Sequence, residues 1–130
     1  MVQKYLGLSH EYGKVDCIRL IKNFYNKELE LDFPLPDYPL SKQWLKRYST
    51  TFVDNWAAST FIKVNLTDAE NYDVIAFKSN KTNLIIHFAL FLKPVEMLHI
   101  EEGGFSCIQT LSQEWRDSIH SFYRHEQLVR

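Results

Sequence analysis

The stretch LIIHFALFLKPVEMLHI, residues 84–100, decides the fold. Leu84 to Leu92 is apolar except for His87, which is the length of a buried strand and far short of the roughly 20 residues that span a bilayer. Lys93, Pro94, Val95 and Glu96 then break the run, because proline has no N–H for a ladder and its fixed φ suits a corner. An antiparallel hairpin follows. With a three-residue loop at 93–95, His99 stands opposite Ala89, on the face that carries His87 and about 7–8 Å from it along the diagonal. A slip of one residue sends His99 to the opposite face, so this register is an expectation. His87 itself interrupts an apolar strand at a cost of roughly 1–3 kcal/mol unless it finds a partner, which makes it either a satisfied core histidine or a functional one.

Upstream, YGKVDCIRLIKNFY (12–25) reads as the start of a helix. Gly13 permits a tight turn, Asp16 can cap, and Leu20, Ile21, Phe24 and Tyr25 follow at helical spacing. Cys17 falls in the first turn. A thiolate there meets free backbone N–H groups and the positive end of the helix dipole, one of the few ways to lower a cysteine pKa from about 8.5 toward neutrality. The alternative for a lone cysteine at a helix start is a small buried hydrophobe.

The remaining elements describe one α+β domain over residues 1–130, with N-terminal helices packed on an antiparallel sheet. FPLPDYPL (33–40) is an extended connector, since Pro34, Pro36 and Pro39 exclude helix and central strand. Ser41 then caps a second amphipathic helix in which Trp44, Leu45, Tyr48, Phe52 and Trp56 recur at steps of mostly four, more as core than as a ligand box. Strands are expected near 61–66, 73–78, 84–92, 97–101 and 104–109, with Gly103-Gly104 as a turn between the last two. A short helix starts near Ser112, and SFYRHEQLV (121–129) returns as a last strand.

Composition excludes several classes. The 15 basic and 16 acidic residues nearly cancel and leave no basic stripe for nucleic acid. No apolar run suits a membrane span, and MVQKYLGLSHEYGK lacks the apolar core of a secretory signal. The two cysteines, Cys17 and Cys107, form no regular framework and fit a reducing compartment; Cys107, in FSCIQTL, reads as an inert strand residue. No Gly-rich phosphate loop or internal repeat is present. Cys17, His87, His99 and His10 supply enough donors for zinc, but no pair has the short spacing usual in such sites, so no metal is expected.

In order and spacing these segments resemble the NlpC/P60 cysteine peptidases, and within them the small forms among tail-assembly and tail-tip proteins of long-tailed phages. Asp16-Cys17 before an apolar helix is similar to the family's nucleophile motif, and HFALFLKPVEMLH (87–99) to its histidine hairpin. ENYDVIAFK (70–78) resembles the strand before that hairpin, with Tyr72-Asp73 where the family usually has Gly-Asp. WRDSIHSFYRH (115–125) is similar to the ends of the phage members.

The resemblance implies a papain-like NlpC/P60 fold with Cys17 as nucleophile, His87 as general base and His99 as the residue that orients His87, working without metal or organic cofactor. It places His10, Tyr12, Asp16 and Arg19 around the substrate, with two departures. His10 stands where the family usually has a tyrosine, with Tyr12 two residues on, and Arg19 stands where it favours glycine. Arg19 then either binds an acidic substrate, blocks one, or lies on a solvated helix face. The implied function is hydrolysis of amide bonds in peptidoglycan peptides as part of a phage tail, in the host cytoplasm during assembly and at the virion tail tip. The implied partners are other tail-tip proteins and a cell-wall peptide or tail-protein substrate. The alternatives are a structural tail-tip part whose Cys-His site is unused or trims a neighbouring tail protein, and acyl transfer or amidase chemistry on another amide. The 15% aromatic content favours an assembly interface, with Phe122, Tyr123 and Arg124 as candidates.

Overall fold

The computed structural model describes residues 1–35 and 48–129. Helix α1 (Cys17–Phe24) starts where the Asp16 carboxylate accepts from the Arg19 amide, after a turn in which Gly13 takes a φ of 81°. It buries Ile18, Leu20, Ile21 and Phe24 along one side, and the chain runs on through a single π turn at Tyr25–Leu29. Helix α2 (Thr50–Ala57) is capped by Ser49, whose hydroxyl accepts from the Phe52 amide. The expected second helix is therefore corrected in part. Tyr48 precedes α2 and gives its carbonyl to the Ile85 amide, which a helical residue in that position does not do. The Ser41 cap, Trp44, Leu45, and the connector beyond Leu35, with Pro36 and Pro39, lie outside the described residues.

Six strands follow: β1 (Phe61–Val64), β2 (Val74–Lys78), β3 (Ile85–Leu92), β4 (Glu96–His99), β5 (Cys107–Thr110) and β6 (Ile119–His125), with α3 (Gln113–Asp117) between the last two. They form one sheet in the order β1-β6-β2-β3-β4-β5, every neighbouring pair antiparallel. The chain is thus α+β. Several strands are shorter than expected, and β4 and β5 are joined by a longer link, 100–106, in which Gly103 takes a φ of 78°.

Both faces of the sheet are covered in the middle, so β3 is buried at every position from His87 to Phe91. On one face Val74, Ala76, Phe88, Leu90, Leu98 and Tyr123 join the apolar side of α1 in the main core. On the other, Ile75, Phe77, Ala89, Phe91, Met97 and Phe122 form a smaller cluster against Trp115 of α3 and Leu111. Phe122 and Tyr123 are 2% and 1% exposed, which removes them as an assembly surface; β6 runs between β1 and β2, and its side chains are spent on the two cores.

The strand before the histidine hairpin is entered through Tyr72, whose φ of 78° explains why glycine is usual there. Its amide donates to the Phe91 carbonyl, its carbonyl accepts from the Tyr25 hydroxyl, and its ring packs on Phe24, which together hold a conformation that costs a non-glycine residue about 1–2 kcal/mol. Asp73 follows, fully buried, taking two hydrogen bonds from the Arg124 guanidinium at 3.0 and 2.9 Å and one from the Glu70 amide. Arg124→Leu leaves this carboxylate buried without its cation and is expected to lower unfolding stability by about 3–5 kcal/mol in denaturant titration. Lys93→Ala, which opens the exposed Lys93–Glu70 pair, is expected to have a much smaller effect, and equal losses would show that the Asp73 pair is not buried in solution.

Candidate active site

The β3–β4 hairpin pairs Leu92 with Glu96, Phe91 with Met97 and Leu90 with Leu98, around a three-residue corner at Lys93, Pro94 and Val95. Continued by one step, this register sets His99 opposite Ala89 and on the face of His87. The imidazoles meet directly, with His87 Nε2 2.9 Å from His99 Nδ1. His99 Nε2 lies 2.7 Å from Oε1 of Gln109 on β5. Phe77 and Trp115 close the pair in, the Trp115 ring centroid lying 5.5 Å from that of His87 and 5.4 Å from that of His99.

Burial governs the charge of this pair. It pushes the His87 imidazole down to about 3, with the neighbouring His99 adding to the effect. His99 is also lowered by burial, against the opposing pull of its Gln109 bond and of Glu101. Both rings are therefore neutral near pH 7.

Cys17 reaches the same strand from the other side. The Phe91 amide points at Asp73, toward β2, so by alternation the Phe88 amide points the other way, where β4 has already ended at His99. There the Phe88 amide acts on the Cys17 thiol, one residue from His87. The thiol is 5% exposed, and burial together with the adjacent Asp16 carboxylate pushes its pKa up to about 12, over the opposing pull of the amides of Phe88, Ile18 and Cys17. This is opposite in direction to the helix-start expectation. Desolvation of the sulfur outweighs the backbone N–H groups, and the residue that caps the helix brings a negative charge beside it.

The four residues expected around a substrate are spread over two places. The Asp16 carboxylate is taken up by the Gly13 amide at 3.1 Å, the Arg19 amide at 2.9 Å and the Arg19 guanidinium at 2.8 Å. Arg19 is thereby drawn onto the helix start, its side chain 16% exposed, and is not a solvated surface arginine. His10 and Tyr12 sit against the 101–106 link: the His10 amide donates to the Gly104 carbonyl, the two rings pack edge to face at 4.6 Å, and burial and the Glu102 carboxylate push the Tyr12 phenol up to about 12. Among the described residues no group of three or more His, Cys, Asp or Glu is placed to hold a metal ion, and both cysteines are free, Cys17 buried and Cys107 exposed on β5.

Two residues of this arrangement escape a reading of sequence alone. Gln109 shares a sheet face with His99 because Met97 pairs with Gln109 and His99 with Cys107. Parity along FSCIQTL was the available signal, but it is usable only once the β4–β5 register is known. Trp115 had a signal only as an apolar residue in a short helix.

No family model matches the chain. It is similar to the tail tip assembly protein K of Escherichia phage lambda, 26% identical over 121 residues that make up 92% of this chain and 58% of that protein, so the chain spans little more than half the length of this relative. Its fold is similar to that of a lipoprotein of the NLP/P60 family from Staphylococcus aureus, with a TM-score of 0.63, 21% identity, and coverage of 95% of this chain and 38% of the other. No described helix is long and apolar enough to cross a membrane. The chain has an NlpC/P60-like fold and resembles a phage tail tip assembly protein in sequence.

Proposed function

We propose that the chain is a cysteine hydrolase that cleaves amide bonds in cell-wall peptides on behalf of a phage tail. The observation that carries this reading is the hydrogen-bonded chain from Gln109 through His99 to His87, ending one residue from the Phe88 amide that faces the Cys17 sulfur. The likeness to a tail tip assembly protein supports a tail setting and partners among tail proteins.

In the resting site thiol and imidazole are both neutral. As the Cys17 sulfur attacks the amide carbonyl, His87 takes the thiol proton at Nδ1, and the resulting imidazolium shares its Nε2 proton with His99. The amides of Cys17 and Ile18, at the first turn of α1, donate to the oxyanion. His87 then returns the proton to the leaving amine, and water, deprotonated by the same ring, releases the acyl group from the thioester. His10, Tyr12 and Arg19 are the residues assigned to binding the peptide.

The buried state of Cys17 favours a second reading, a structural tail component whose Cys-His site is not turned over. Cys17→Ala is expected to abolish hydrolysis of purified cell-wall peptides with little change in folding; an unchanged rate removes the enzyme reading, and wild-type tail assembly and infectivity without any hydrolysis supports the structural one. His87→Ala is expected to lower kcat by roughly 100-fold or more, and His99→Gln by less, because an amide can still accept from His87. Equal losses would reverse the roles given to the two histidines.

Two pH measurements follow from the same burial. In substrate-free protein, iodoacetamide is expected to alkylate Cys107 faster than Cys17 at pH 7–8, as read by mass spectrometry; faster reaction at Cys17 below pH 7 would mean that the resting site already holds a thiolate. His87 falls from its ordinary 6.5 to about 3 on folding, so between these values the unfolded chain binds the extra proton. Stability is then full above about pH 6.5 and declines as pH falls toward 3, and His87→Phe is expected to flatten that decline in thermal scans taken across the window.

A further inference from the structure

Resting on the reading of His87 as the base, we propose that Gln109 is a positioning residue that fixes the tautomers of both histidines and thereby leaves His87 Nδ1 free to take the thiol proton. The Gln109 amide meets His99 with its oxygen. An amide oxygen only accepts, so the 2.7 Å contact with Gln109 Oε1 requires the proton of His99 to sit on Nε2. In a neutral ring this leaves Nδ1 as an acceptor, so at 2.9 Å the proton between the two rings belongs to His87 Nε2. The lone pair of His87 is then left on Nδ1. A donor in place of the Gln109 oxygen would invert every step and put a proton on the atom that has to accept one.

The place of Gln109 in the fold argues that its role is not packing. It lies on β5, whose four residues are all exposed and which forms the outer edge of the sheet. Its side chain reaches from that edge to the buried ring of His99, while Trp115 covers the two imidazoles. The charged and titratable groups that bear on His99 are Glu101 on the link beyond β4, His87 on β3 and Cys107 across β5.

The test is two-bond ¹H–¹⁵N NMR of the full chain labelled with ¹⁵N-histidine at pH 7, where the two nitrogens of each neutral ring report the site of the proton. The wild type is expected to show His87 and His99 each as the Nε2–H tautomer. Gln109→Ala is expected to give a mixture of tautomers at His99 and His87 with the backbone spectrum otherwise retained. Gln109→Glu is expected to keep the wild-type tautomers and raise the His99 pKa by about one to three units. Unchanged tautomers in Gln109→Ala, or Nδ1–H rings in the wild type, overturn the proposal.

Kinetics separate this inference from the hydrolase reading. In an active enzyme Gln109→Ala lowers kcat with KM held, by less than His87→Ala, and Gln109→Glu restores part of it. A wild type that hydrolyses nothing but has the expected tautomers supports the role of Gln109 and removes the enzyme.

Discussion

The site depends on one register. A corner of three residues at Lys93, Pro94 and Val95 sets Leu92 against Glu96, and from that pairing the parity of every later position on β4 follows. His99 faces His87 because of it, and Gln109 faces His99 through the next pairing, Met97 with Gln109. The early end of β4 also leaves the Phe88 amide without a strand partner, in the direction from which the Cys17 sulfur comes. A corner one residue longer would turn both His99 and this open amide to other uses.

The same burial that encloses Cys17 against one face of β3 and His87 against the other also quiets them. Cys17 and His87 are each less than a tenth exposed, and each is driven toward its uncharged form, the thiol upward and the imidazole downward. Low polarity strengthens the His87–His99 hydrogen bond and at the same time disfavours the thiolate–imidazolium pair that papain-type sites hold at rest. Asp16 adds to this, since the carboxylate that starts α1 and holds Arg19 acts on the sulfur with the wrong sign for a thiolate. Helix capping and thiol activation make opposite demands on this residue, and in the resting fold capping prevails.

Much of this was legible in the chain. Pro94 between two apolar runs gives the hairpin, the spacing of Asp16, Cys17, Leu20 and Ile21 gives α1, and the last strand expected at SFYRHEQLV corresponds to β6, which starts earlier and ends at His125. What was not legible depends on contacts between distant segments. Ser49 caps α2, and the expected helix does not run through Tyr48, because the Tyr48 carbonyl accepts from the Ile85 amide and the Thr50 amide donates to the Asn83 carbonyl. Phe122 and Tyr123 resemble interface aromatics until β6 is seen between β1 and β2. The direction of the Cys17 pKa depends on how much water the folded chain removes from the sulfur, and no local motif encodes that. Gln109 stayed hidden because the 100–106 link leaves the β4–β5 register open.

The position of β6 has a consequence for how the chain is made. Strands β2 to β5 are joined in sequence order and can pair as they leave the ribosome, while β1 has no neighbour until residues 119–125 arrive to lie between it and β2. Until then the β2 edge stands open, Asp73 lacks Arg124, and the apolar sides of β1 and α2 have little to close against. The sheet is thus completed from its middle by a strand that follows the other five in sequence, so its closure is dominated by distant contacts. A nascent chain stalled before Ile119 would carry every residue of the Cys17–His87–His99–Gln109 set and still lack the strand that holds their sheet together.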